Sequence, residues 1–341
     1  MVRTGAHGTL KYDFEDVSFT GASTPNKKFG LQDKLSSFTM TNNKVDLNKL
    51  GQITVDKFAY GQQQGTASVG FTLSNPWIFG SILGAPLSAG TNPYTHTYPN
   101  ASGLPKTPRS IQIEVGYEGD SANIVRTLKG GVVGSLSINA AVGGLVDCTV
   151  DVTYGSESAP SAVAFIAPNV VELAPSAGAV SAPTLPTVEF PYTFAHAELT
   201  VGGAVVAQCQ DASMSIAQNT ELLYGLNSHQ AVAAFRRVLG LTGSFRASWI
   251  DKDLLEKVLE QIKKGTAGAS VYSETIGGSP EFKFTFIKNN TNEKIEITGT
   301  GVGINDIAIS GFEPVEPIFE EISWTMKTIS VVATNVTATE E

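Results

Sequence analysis

One pattern occurs twice along this chain. Gly65–Phe79 aligns with Leu241–Leu255 when the numbering is shifted by 176. Val69, Phe71 and Leu73 alternate with small or polar residues in the first copy, as do Phe245, Ala247 and Trp249 in the second, and Ser68 meets Ser244. A period of two turns one side of a segment toward a core and the other toward water, which is the mark of a half-buried strand. Asn75 then meets Asp251. Either side-chain oxygen can accept from the orphan N–H groups at a helix start, and Pro76 suits the first helical position because its missing N–H costs nothing there. Ile78, Phe79, Ile82 and Leu83 meet Leu254, Leu255, Val258 and Leu259. Each half is therefore expected to run a strand directly into a capped amphipathic helix, over Asn75–Leu83 and Asp251–Lys264.

The correspondence continues. A shift of 171 sets Ile111, Ile113 and Val115 on Phe282, Phe284 and Phe286, Ile124 on Ile295, and Leu136 and Ile138 on Ile307 and Ile309. A shift of 174 sets Cys148, Val150 and Val152 on Ile322, Trp324 and Met326. The changes of shift fall in loops, where insertions are tolerated. Ordered segments at a nearly constant offset point to duplication. The expected fold is mainly β: two tandem β-sandwich or barrel domains, each with one flanking α-helix. Their expected bounds are 1–158 and 190–341. Between them 159–189 reads as an extended linker, since Pro160, Pro168, Pro175, Pro183 and Pro186 argue against a regular element. Asn227–Leu239 fits either a helix capped by Ser228 or the entry to a strand.

The residues that would carry chemistry do not cluster. His7, His96, His196 and His229 lie in unrelated segments, without the two-histidine helix spacing of a zinc site. Cys148 and Cys209 are too few for a disulfide scaffold in 341 residues and read as reduced thiols. Gly299–Gly303 lacks the Gly-x-Gly-x-x-Gly spacing of a dinucleotide loop and reads as close backbone packing in a hairpin. Lys263-Lys264-Gly265-Thr266 lacks the upstream glycine of a phosphate loop. No catalytic, cofactor or metal site is expected. Nor is a membrane span, because the apolar runs are short, and the opening Met1–Leu10 carries no apolar signal region.

Charge narrows the partners. The net charge is −9. Residues 1–170 hold 12 basic and 12 acidic side chains, so the imbalance falls in 171–341, with 11 basic and 20 acidic. A protein that grips a phosphate backbone needs the opposite sign. Glu296, Asp306, Glu313, Glu316, Glu320 and Glu321 lie between Ile295 and Met326 with no basic residue among them. Such a run can guard a solvated strand edge, or it can form a surface that faces a polyanion without holding it.

Asn75–Pro86 with Tyr94-Thr-His-Thr-Tyr98, Ser213–Leu226 and Val238–Phe245 resemble the tail tube proteins of tailed bacteriophages. The likeness spans about residues 60–330. It implies two domains of tail-tube type in a structural protein of the virion tail, made in the host cytoplasm and stacked as rings around a DNA conduit. Many members have one unit and form six-membered rings. Two units per chain allow a pseudo-hexameric ring of three chains, and a ring of six chains stays open. The implied partners are further copies of the chain, tape-measure and other tail proteins, and viral DNA in passive transit, with no membrane and no cofactor. Glu313, Glu316, Glu320 and Glu321 are the expected lumen-facing residues. Gly84–Pro108, Phe19–Leu35, the linker and the termini are the expected contacts between rings. The alternatives are another β-rich virion component (a capsid decoration or tail terminator protein) and a carbohydrate-binding β-sandwich or adhesin. The last would show exposed aromatics over a groove or calcium-type Asp spacing.

Overall fold

Short alternating segments account for nearly all the regular structure in the computed structural model of the chain. It describes residues 8–16, 18–19, 25–47, 50, 54, 57–59, 61–117, 124–158, 190–206, 209–226, 228–248, 281–288, 293–310 and 318–336. The first half contains β1 (Gly8–Phe14), β2 (Leu31–Thr41), β3 (Val45–Leu47), β4 (Lys57–Ala59), β5 (Gln64–Thr72), α1 (Ile78–Leu83), β6 (Leu87–Ala89), β7 (Tyr94–Tyr98), β8 (Ile111–Tyr117), β9 (Ile124–Ala141), β10 (Val146–Tyr154) and β11 (Ser156–Glu157). The second contains β12 (Tyr192–Val201), β13 (Ala204–Val205), β14 (Cys209–Ala217), β15 (Thr220–Tyr224), β16 (Ala231–Arg236), β17 (Gly240–Ser248), β18 (Phe282–Lys288), β19 (Lys294–Thr300), β20 (Gly303–Ser310), β21 (Phe319–Thr325) and β22 (Thr328–Val336).

The pairing is antiparallel throughout and runs the same way in both halves. One sheet follows the order β2-β5-β10-β9-β14-β17-β21-β20, so four strands of the first half are continued by four of the second. A second layer holds β13-β12-β18-β19-β22, extended by β7 and β6 from the first half. Its counterpart in the first half is β1-β8-β9 with β11 on the far side of β9. Strand β9 serves both layers because it is long. In the second half the same path is divided into β19 and β20, separated by Gly301 and Val302. Gly130 (φ 63) and Gly301 (φ 65) occupy the two corners, in a left-handed conformation that glycine adopts without steric cost. Gly299–Gly303 is thus a corner between layers, not the hairpin expected from the sequence.

Register makes the likeness residue-specific. Leu136 faces Val150 in one half and Ile307 faces Ile322 in the other. Both ladders then slip by one residue, between Asp151 and Val152 and between Ser323 and Trp324, leaving Gly134 and Asn305 as the extra residues of two equivalent bulges. Cys148, Val150 and Val152 therefore stand where Glu320, Ile322 and Trp324 stand, two residues from the alignment read off the sequence. Likewise Ile113 opposite Leu128 matches Phe282 opposite Gly299. Apolar alternation is blind to a slip of two, because every side chain keeps its face; only the pairing partner reveals it.

The β2–β5 and β14–β17 connections match as well. Each opens on an asparagine at positive φ, Asn43 (40°) and Asn219 (48°). Asn43 Nδ2 donates to Gln62 O at 3.0 Å, and Asn219 Nδ2 to Val238 O at 2.8 Å. Asparagine tolerates this backbone and closes the loop with its own amide. Each connection holds a hairpin, β3–β4 and β15–β16. Within the ambiguous stretch Asn227–Leu239, Ala231–Arg236 form the return strand β16.

Helix α1 differs from the expectation. It has six residues, all buried, and it is wedged against β7 and β9 instead of covering a face with one apolar stripe. Asn75 Oδ1 does accept from Trp77 N, at 3.3 Å. The C-terminal carbonyls are met from the second half: Gln218 Nε2 donates to Ser81 O at 3.1 Å, and Arg236 donates to Ile82 O. A cation at this end suits the helix dipole. The expected helix Asp251–Lys264 and linker 159–189 lie outside the described residues.

The thiols lie on the core side. Cys148 is buried, and burial followed by the nearby Asp147 carboxylate pushes its thiol far up. Burial chiefly, then the Asp211 charge, pushes Cys209 up to about 11. At pH 8 both stay protonated and poorly nucleophilic. A thiol reagent is expected to label the native protein slowly and the denatured protein at both cysteines. Equal labelling rates at Cys148 in the two states would contradict its place in the core.

Candidate functional site

The feature that stands out among the described residues is the outer face of the eight-strand path, which strands of both halves build together. Along β10, Val146, Cys148, Val150, Val152 and Tyr154 point inward, while Asp147 and Asp151 are exposed on the other side. The same alternation puts Ser135, Ser137 and Asn139 of β9 on that outer face, followed across the junction by Asp211, Ser213 and Ser215 of β14. Small hydroxyl and carboxylate side chains thus form one continuous surface built from both halves.

They are tied to one another across the strands. Thr39 Oγ1 and Thr66 Oγ1 lie 2.8 Å apart, and Ser213 Oγ and Ser244 Oγ 3.0 Å apart. Thr72 Oγ1 donates to Asp147 Oδ1 at 3.1 Å. Ser135 Oγ donates to Asp151 Oδ2 at 2.7 Å, and Ser323 Oγ to Asp306 Oδ2 at 3.3 Å. The last two pairs sit at the equivalent step of the two halves with serine and aspartate exchanged, so the bond survives the exchange. Cross-strand pairs of this kind stabilise a sheet modestly and hold each rotamer. The surface is therefore built mostly of short side chains held by cross-strand hydrogen bonds.

Its electrostatics follow from the residues it carries. Asp147, Asp151, Asp211, Asp306 and Glu321 supply negative charge. Lys34 and Arg246 oppose them, and both are engaged: the Lys34 stem lies over Gly70, and Arg246 Nε donates to Asp211 Oδ2 at 2.9 Å. That ion pair is half-exposed, so it adds little stability; its effect is to pin the cation along the sheet, where it also caps the Phe319 ring at 5.1 Å. The described face carries a net negative charge.

Glu321, expected from sequence, is exposed on this face. Glu320 is its neighbour, and alternation sends it to the opposite side, where it is only 5% exposed. Burial raises its carboxyl pKa. Glu313 and Glu316 lie outside the described residues. Sequence reading missed Asp147, Asp151 and Asp211, although the signal was present: each occupies the polar phase of a strand whose apolar phase is plain in the sequence. Among the described residues no cluster of His, Cys, Asp and Glu could hold a metal ion, and no helix is long and apolar enough to cross a membrane.

Residues 5–326 match the family model described as phage tail tube protein. The chain belongs to the phage tail tube protein family. No curated protein matches it. Among the described residues the eight-strand path ends at β2 on one side and at β20 on the other.

Proposed function

We propose that this chain is an internally duplicated tail tube protein. Its two units, 1–158 and 190–341, join further copies into rings, and the rings stack into a hollow tube through which viral DNA passes on ejection. The observation that carries this reading is the eight-strand sheet, assembled from both halves, polar and acidic on one face and, among the described residues, without a further strand beyond β2 or β20. The matched strand order, paired bulges and corner glycines support duplication. A sheet that already continues from one unit into the next supports growth by edge addition. A heterologous contact that closes gives a ring, and two units per chain favour three chains in a six-unit ring.

The polar face lines the channel in this proposal, with Glu321 among the lumen residues and Glu313 and Glu316 assigned there by the sequence reading. Dense like charge on the wall keeps a phosphate backbone from adhering. Short serine and threonine side chains offer no flexible cations to trail along it. Tape-measure and other tail proteins complete the assembly, which takes place in the host cytoplasm.

Electron microscopy of the purified protein tests the reading. Tubes with a central channel are expected, with cross-sections showing three-fold symmetry and six similar densities of two alternating kinds. A protein that stays monomeric at high concentration would overturn it, and strict six-fold symmetry with one whole chain per density would overturn the ring of three. Assembled tubes or free protein mixed with DNA at low salt are expected to show no tight binding. Submicromolar association there would contradict a non-adhesive wall.

A further inference from the structure

We propose that β20 of one chain pairs with β2 of the next in the register this chain already uses between β9 and β14, placing Ile309 opposite Phe38 and Ile307 opposite Met40 of the next copy. The proposal rests on the tube reading and adds to it the edges and the residues that meet.

The chain contains its own template. Strand β14 pairs with β9 so that Ile138 faces Met214 and Leu136 faces Ile216. The C-terminal part of β9 and β20 are equivalent: each leaves a corner at a left-handed glycine and pairs with β10 or β21 through the same bulge. Strands β14 and β2 are equivalent too. Ser213 faces Ser244 as Ser37 faces Ser68, and each strand leads into a hairpin through a positive-φ asparagine. Carrying Ile138 to Ile309 and Met214 to Phe38 transfers the whole ladder.

The chemistry of the transferred pairs fits. Inward residues remain apolar: Ile309 with Phe38 and Ile307 with Met40 replace Ile138 with Met214 and Leu136 with Ile216. Outward residues remain small: Ser310 with Ser37 and Ala308 with Thr39 replace Asn139 with Ser213 and Ser137 with Ser215. Exposure shows which member lacks a neighbour among the described residues. Ile138 is 3% exposed and Met214 4%, whereas Ile309 is 43% exposed. Strand β20 carries no lysine or proline that would discourage pairing. At the β2 end Val45, Leu47 and Phe58 of the first hairpin are also exposed, whereas the second hairpin rests on the first half, with Gln63 N donating to His229 O at 2.7 Å. The two edges lie at opposite ends of the path, so the contact is heterologous and a second copy of this chain is the fitting occupant.

Paired substitutions to cysteine test the register. In tubes of the full-length chain carrying Ser37→Cys and Ser310→Cys, the two introduced thiols lie directly opposite, within disulfide reach; with Ser37→Cys and Ala308→Cys they are displaced by two residues. Oxidation is expected to give roughly tenfold more intermolecular linkage between positions 37 and 310, mapped on linked peptides, than the displaced pair gives. Independently, Ile309→Lys is expected to abolish tubes while leaving the melting temperature of the monomer unchanged, because the side chain is already half in water. Tubes that link only through the displaced pair, or that form undiminished with I309K, would overturn the proposal and leave the tube reading intact. Failure of the unaltered chain to form tubes would overturn both.

Discussion

Trp324→Ala is expected to destabilise the protein by about 3–5 kcal/mol, the usual cost of removing a large buried aromatic and leaving a cavity. Trp324 is fully buried in the second half, edge-on to Phe282 at 5.5 Å and tilted against Phe284 at 6.0 Å. Its ring fills the space above Gly243, directly opposite on β17. A Cβ on Gly243 would come within 2.3 Å of both Ser213 O and the indole ring, so Gly243→Ala is expected to destabilise as well. The equivalent step of the first half carries Ala67 opposite Val152. One half thus pairs a medium residue with a small one, and the other a very large residue with none. Trp324→Val in the G243A background should therefore recover part of the loss, giving a non-additive cycle. The indole N–H has no hydrogen-bond partner among the described residues, so Trp324→Phe should cost far less than Trp324→Ala. Urea denaturation of these variants measures the differences. Additive losses, or a W324A variant as stable as the parent, would mean that the ring and Gly243 do not share one space.

How much of this is legible in the sequence depends on what alternation can encode. Period two correctly places Cys148, Val150 and Val152 in the core and gives strands at β5, β8, β10, β17, β18 and β21. It carries no information on which strand is the neighbour, and so the two-residue slips at β8 and β10 stay hidden until Ile113 and Val152 are matched by their partners. Gly130 and Gly301 are unremarkable as letters, because a corner between layers and a hairpin turn both use a left-handed glycine. Asn75 announces the turn that leads into helix α1, its Oδ1 accepting from Trp77 N, but the N-cap is Trp77 and the helix starts at Ile78, later than the sequence suggests; its amphipathic look also misleads, because the polar side of Ile78–Leu83 is only Gly80 and Ser81, small enough to bury. The outer face needs one further inference, that in a sheet spanning both halves the polar phases of separate strands coalesce. Asp151 and Asp306, far apart in sequence and paired to serines at equivalent steps, show how two scattered carboxylates become parts of one surface.

Glu320→Leu is expected to stabilise the protein at neutral pH by about 1–3 kcal/mol, the desolvation cost of a buried polar group without a partner. Glu320 occupies the step that Cys148 fills in the first half: Cys148 lies opposite Phe71 and Ile138, and Glu320 opposite Ala247 and Ile309. Among the described residues the carboxyl Oε1 has no hydrogen-bond partner. Burial raises its pKa above the unfolded value, so the folded state favours the protonated form. The sign of the pH dependence follows. This preference contributes fully below the unfolded carboxylate range and is lost as the pH rises through the folded pKa, so the parent protein should lose stability across that window. E320L should flatten that part of the profile, and E320Q should flatten it while gaining less, since an amide is still polar. Denaturation midpoints of the three proteins from mildly acidic to neutral pH provide the test. A parent protein that gains stability relative to E320L as the pH rises would show that the carboxylate is paired in solution, and one whose difference from E320L stays constant would show that it is solvated. Its neighbour on the ladder is Ile309 of β20, the last strand of the eight-strand path among the described residues, so the buried carboxyl sits one strand in from that end of the sheet.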